Sequence, residues 1–61
     1  MYTEKQILEY FGSIPPTKLS ERPTITRKGE TRPLRRKSLG WWRWFYGLSD
    51  HDKGIISDLE S

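Results

Sequence analysis

The sequence predicts a small, mainly α protein, and three observations carry that prediction. A capped amphipathic segment opens the chain, an aromatic segment at helical spacing follows a basic, proline-punctuated stretch, and a third apolar stripe lies towards the C-terminus. The same residues allow one alternative, a small α+β fold with strands near 24–26 and 41–46.

The first helix is expected over about residues 4–11. Thr3 and Gln6 have the spacing of a capping box, in which each side chain meets the other residue's backbone N–H. Tyr2 precedes the cap and Ile7 follows four residues beyond it, the arrangement of a hydrophobic staple. Ile7, Leu8 and Phe11 share one helical face. Gly12 stands where a left-handed residue ends a helix, and Pro15-Pro16 forbid continuation. Two turns are marginal alone, so this helix must dock on something.

Residues 15–36 differ in character. Pro15, Pro16, Pro23 and Pro33 fix φ and bias their predecessors towards extended backbone. Thr24-Ile25-Thr26 has strand character, and Lys28-Gly29 is able to turn it back towards Thr31. Two short strands with a proline in the second are marginal without a third. The segment is therefore expected to be extended and mobile, gaining order from a partner.

Two templates compete for SLGWWRWFYGL. As a helix, Trp41, Trp44, Phe45 and Leu48 fall at i, i+3, i+4 and i+7, with Ser38 as N-cap and Gly47 as the left-handed closing residue. As a strand, Trp42, Trp44 and Tyr46 would share a face. The helix satisfies its whole template and has caps at both ends, so it is preferred. A last helix over about 50–59 follows from Ser49 as N-cap, Asp50 and Asp52 at the positive end of the dipole, and the stripe Ile55, Ile56, Leu59. Gly54 inside it costs about 1 kcal/mol relative to alanine. The expected core is Ile7, Leu8, Phe11, Trp41, Trp44, Phe45, Leu48, Ile55, Ile56 and Leu59, in one small domain over 1–61.

Charge is segregated. Residues 17–43 carry nine cations against Glu21 and Glu30, a net +7, while the flanking segments are mildly acidic. Six of the nine cations are arginine, whose planar fork suits phosphates and base stacking. A helical stripe through Trp41 and Trp44 leaves Trp42 and Tyr46 as the expected exposed pair, suited to base stacking or to a protein hot spot. The candidate binding residues are Arg27, Lys28, Arg32, Arg35, Arg36, Lys37, Trp42, Arg43 and Tyr46. Nucleic acid leads as partner and an acidic protein surface follows closely, as for a phage or viral accessory protein. A membrane surface comes third, and homodimerisation stays open.

Enzymatic function is not expected. No nucleophile–base pair, glycine-rich phosphate cradle or metal-ligand spacing can be assembled, and no small-molecule substrate or cofactor is implied. Without cysteine, and with His51 alone, no zinc site is available. Asp50, Asp52, Asp58 and Glu60 read as solvated partners of a helix rather than as an acid–base set. Arg35-Arg36-Lys37-Ser38 has the form of a basophilic kinase site, but capping accounts for Ser38 more simply. No apolar run reaches the roughly 20 residues of a spanning helix, and MYTEKQILEY does not resemble a signal peptide. A cytoplasmic location, or a nuclear one in a eukaryotic or viral setting, is the expectation.

Overall fold

The computed structural model describes residues 1–60, excluding the side chain of Glu60, so the reading of that carboxylate lies outside the described residues. The elements are α1 (Glu4–Phe11), a 3₁₀ turn (Leu19–Glu21), β1 (Thr24–Arg27), β2 (Glu30–Pro33), α2 (Leu39–Gly47) and α3 (Asp50–Glu60). Half of the chain is helical and one two-stranded antiparallel sheet accompanies the helices, a mainly α small fold.

Local chemistry explains the helix boundaries. The capping box at α1 is complete: the Thr3 N–H donates to Gln6 Oε1 at 2.8 Å and the Gln6 N–H to Thr3 Oγ1 at 3.2 Å. Gly12 closes the helix at φ 82°, its N–H donating to the Leu8 carbonyl at 2.7 Å. Ser38 caps α2 by accepting from the Trp41 N–H at 3.3 Å, and Ser49 accepts from the Asp52 N–H at the start of α3. Residues 41–46 are thus helical, not a strand.

Gly47 differs from its expected role. It is the last residue of α2 rather than a left-handed cap, and the chain leaves through Leu48 in extended backbone, at φ −70° and ψ 156°. Glycine is needed there because a Cβ would collide with the Pro15 carbonyl oxygen and crowd Thr17. The proline segment therefore runs directly against the end of α2. It is fixed there by the Thr17 N–H donating to the Gly47 carbonyl at 3.0 Å and the Thr17 hydroxyl donating to the Trp44 carbonyl at 2.7 Å.

The buried core is Ile7, Trp41, Trp42, Trp44, Leu48 and Ile56, with Phe11, Ile14, Leu19, Leu39, Phe45 and Tyr46 packed partly buried around it. Leu8 and Leu59, both expected inside, are exposed, and Ile55 is only half-buried. The main correction is Trp42. Expected on the outside, it is 6% exposed.

The reason is geometric. At about 100° per residue, Trp44, Leu48, Trp41, Phe45, Trp42 and Tyr46 sweep roughly 200° of the α2 circumference. A single-sided helix buries a stripe nearer 100° wide, whereas a helix surrounded by structure buries more. Three elements surround α2. α1 covers the Arg43–Tyr46 side, where the Tyr46 hydroxyl donates to the Tyr2 carbonyl at 2.6 Å and Arg43 stacks on Phe11. The segment 15–19 covers the Trp44–Gly47 side, where the Trp44 Nε1–H donates to the Lys18 carbonyl at 2.9 Å. α3 brings Ile56 to the cleft that Trp41 lines.

The middle segment is extended, as expected, and it forms the hairpin that the sequence permitted. Residues 24–27 pair with 33–30 in register, Arg27 opposite Glu30 across the two-residue turn Lys28-Gly29. Both turn residues have positive φ, 50° and 80°, the backbone of a type I′ turn that matches strand twist. All eight strand residues are exposed. Leu34 anchors the hairpin base: its N–H donates to the Pro23 carbonyl at 2.9 Å, and its side chain lies where a Cβ on Gly40 would be.

Burial of all three indoles sets the first expected outcome. Trp42→Ala and Trp44→Ala should each cost about 3–5 kcal/mol. A domain of this size holds no more than about 5 kcal/mol of net stability, so both variants should lose the cooperative melt. A Trp42→Ala protein that melts like the parent would contradict the packing around α2.

Candidate nucleic-acid interface

The basic residues divide into two groups once the fold is known. One group follows the hairpin. Lys28 occupies the tip, Arg27 and Arg32 lie along the strands, and Arg35, Arg36 and Lys37 follow Leu34 at the base. All six are exposed, and Arg22 joins them on the other leg of the hairpin. Glu30 is the one acid within residues 22–37 and pairs with Arg32 at 2.7 Å. Both members of that pair are well exposed, so it contributes at most about 1 kcal/mol and opens readily to a competing anion.

The second group serves the fold. Arg43 lies on α2, far around the helix from Trp41, and is half-buried against α1. Its Nε–H donates to the Ser13 carbonyl at 3.3 Å and its guanidinium sits 4.9 Å from the centre of the Phe11 ring. Arg22 reaches 6.0 Å from the centre of Trp44, at the outer limit of a cation–π contact. Arg43 is therefore not gathered with the hairpin cations, whereas Arg22 touches both the core and the basic surface.

The aromatic half of the expected site is absorbed into the core. Trp42 packs edge-to-face on Trp41 (4.9 Å, 89°) and stacks on Tyr46 (5.4 Å, 25°). Tyr46 is half-buried, with its hydroxyl committed to Tyr2. Neither ring offers an open face beside the hairpin cations. The aromatics that do protrude are Tyr10, at 68% exposure on the acidic α1, and Tyr2 just before it. Nothing in the helical spacing flagged this, because spacing within one helix does not reveal how many neighbours surround it.

Two concavities accompany the basic surface. One, of about 370 Å³, lies on the hairpin between Ile25, Arg27, Lys28, Glu30 and Arg32. The other, of about 200 Å³, lies between Arg22, Arg36, Trp41, Ile56 and Leu59. Ile25, Arg22 and Glu30 are thus surface-forming residues that the sequence reading did not single out. The alternation of strand side chains, given the Lys28-Gly29 turn, would have placed Ile25 and Glu30 beside Arg27 and Arg32. Ser38 is half-buried and engaged as the α2 cap. Among the described residues no cluster of His, Cys, Asp or Glu is placed to hold a metal ion, and no helix is long and apolar enough to cross a membrane.

The chain matches no protein-family model, no curated protein and no solved structure.

Tyr46 supplies a pH-dependent check on the docking of α1. Burial pushes its phenol above the ordinary value near 10, and the Glu4 carboxylate adds to the effect. Folding thus favours the neutral phenol. The stability this contributes is complete below about pH 10 and is lost as pH rises through the higher folded value. Thermal melts stepped upward from about pH 9 should show a steeper alkaline decline in the parent than in Tyr46→Phe. Identical slopes would mean that Tyr46 is not held against α1.

Proposed function

We propose that the protein is a non-enzymatic binder of nucleic acid, and that its contact surface is the basic hairpin together with the loop that follows it. The observation that carries this reading is the segregation of cations. Seven of them lie within residues 22–37, which hold the single carboxylate of Glu30, on and around two strands whose residues are all exposed. A structural role for charge would intersperse acids or use the aliphatic stems for packing. An exposed field of arginine and lysine attracts a polyanion at long range and releases counterions on contact.

The same structure supports the competing partners less well. An acidic protein surface would draw on the same cations, but the aromatic pair expected to act as its hot spot, Trp42 and Tyr46, is packed into the core and against α1. A membrane surface would call for tryptophans at the lipid boundary, and all three are buried.

Binding should be electrostatic and largely tolerant of sequence. With about 5 phosphates neutralised, log K should fall against log salt with a slope near −4 to −5, a loss of roughly 10²–10³ in affinity between about 50 and 200 mM. Arg35→Ala and Lys37→Ala should each reduce that slope by about 1 without altering the melt. Titration of a labelled oligonucleotide at several salt concentrations reads both effects. Affinity that is absent at low salt, or flat across the series, would refute the reading.

A further inference from the structure

Resting on that reading, we propose that the nucleic acid is duplex DNA and that the β1–β2 ribbon lies in its major groove. Single-strand binders combine a basic groove with aromatic platforms on which bases stack. Here the three tryptophans are buried, and the exposed aromatics, Tyr2 and Tyr10, belong to the N-terminal segment and α1 rather than to the basic segment. What stands out instead is a narrow two-stranded ribbon, exposed along its length and closed by a turn of minimum size.

The dimensions select one groove. Strands about 4.8 Å apart give a ribbon on the order of 10 Å across with its flanking atoms. That fits the B-form major groove, about 12 Å wide, and not the minor groove, about 6 Å wide. It also does not fit the deep, narrow major groove of A-form RNA. Four residues per strand extend about 13 Å, close to the rise of four base pairs.

The chemistry of each side of the ribbon agrees. Antiparallel pairing alternates between bonded and non-bonded pairs. The Leu34 N–H bonds to the Pro23 carbonyl, which makes Ile25–Arg32 and Arg27–Glu30 the other bonded pairs. The N–H groups of Thr24, Thr26 and Thr31 consequently point outward from the two edges, towards where the phosphate walls would lie. Backbone N–H groups are ordinary phosphate contacts; the threonine side chains lie on the opposite face, where the Thr26 and Thr31 hydroxyls bond each other at 3.2 Å. One face carries Ile25, Arg27, Glu30 and Arg32, and this face is assigned to the groove floor. Arginine donates to guanine, a carboxylate accepts from cytosine, and an aliphatic side chain meets the thymine methyl group. Lys28 at the tip and Arg35, Arg36 and Lys37 at the base extend the cationic field beyond both ends of the ribbon.

The test compares a 20-base-pair DNA duplex, its separated strands and the RNA duplex of the same sequence, by fluorescence anisotropy at low salt. The DNA duplex should bind at least about tenfold tighter than either alternative. Methyl green, which occupies the major groove, should displace the protein, and distamycin, which occupies the minor groove, should not. Arg27→Ala/Arg32→Ala should bring the duplex-to-single-strand ratio close to one while leaving the thermal melt unchanged, because neither residue touches the core. Equal affinity for all three nucleic acids, displacement by distamycin alone, or a duplex preference that survives the double variant would overturn the groove assignment and leave the nucleic-acid reading standing. No binding to any of the three would overturn both.

Discussion

Trp41, Trp42 and Trp44 lie within four consecutive residues of a nine-residue helix, and burying all three forces the rest of the chain to wrap that helix. No single packing partner can cover an arc of roughly 200°. α1 takes one side, the proline segment the second and α3 the third. Each also meets α2 in its own way: Phe11 of α1 under the Arg43 guanidinium, the Lys18 carbonyl on the Trp44 indole, and Ile56 of α3 in the same buried cluster as Trp41. The short helices, marginal as isolated peptides, gain their stability from this shared surface.

The arrangement has costs as well as gains. Among the described residues, the buried Nε1–H groups of Trp41 and Trp42 meet no acceptor, a penalty of about 1–3 kcal/mol for each neutral donor. Edge-to-face packing of the two indoles recovers part of this, since the positive edge of one ring meets the negative face of the other. Trp44 avoids the penalty because Pro15-Pro16 hold the chain extended so that Lys18 presents its carbonyl. Close approach of that segment is what restricts position 47 to glycine. In so small a domain these local details decide whether the fold is stable at all.

Much of the fold was legible because it rests on local chemistry. The capping box of Thr3 and Gln6, the left-handed Gly12, the serine caps and the helical spacing of the tryptophans each act within a few residues, and each is present in the structure. What was not legible depends on encounters between distant segments. Trp42 lies outside the stripe that runs through Trp41 and Trp44, yet the surrounding elements bury it, and Leu8 and Leu59 lie on stripes that the fold covers only in part. Gly47 has the position of a left-handed cap in the sequence, and its actual role, making room for the Pro15 carbonyl, depends on a segment about 30 residues away. The cations were legible as a cluster, but the division between Arg43, which braces α1, and the hairpin residues follows from the tertiary arrangement alone.

The picture that results is a helical core with a basic ribbon projecting from it, joined through Leu34 and its contact with the first turn of α2. Such a division makes local stability uneven: amides of the core should open only with the whole domain, and those of an exposed ribbon should open on their own. Residue-resolved amide hydrogen exchange tests this most directly. The account predicts the slowest exchange in α2 between Trp42 and Gly47, and exchange faster by orders of magnitude at Ile25, Arg27, Glu30 and Arg32. Hairpin amides protected as strongly as those of α2, or α2 amides exchanging as fast as the hairpin, would contradict it.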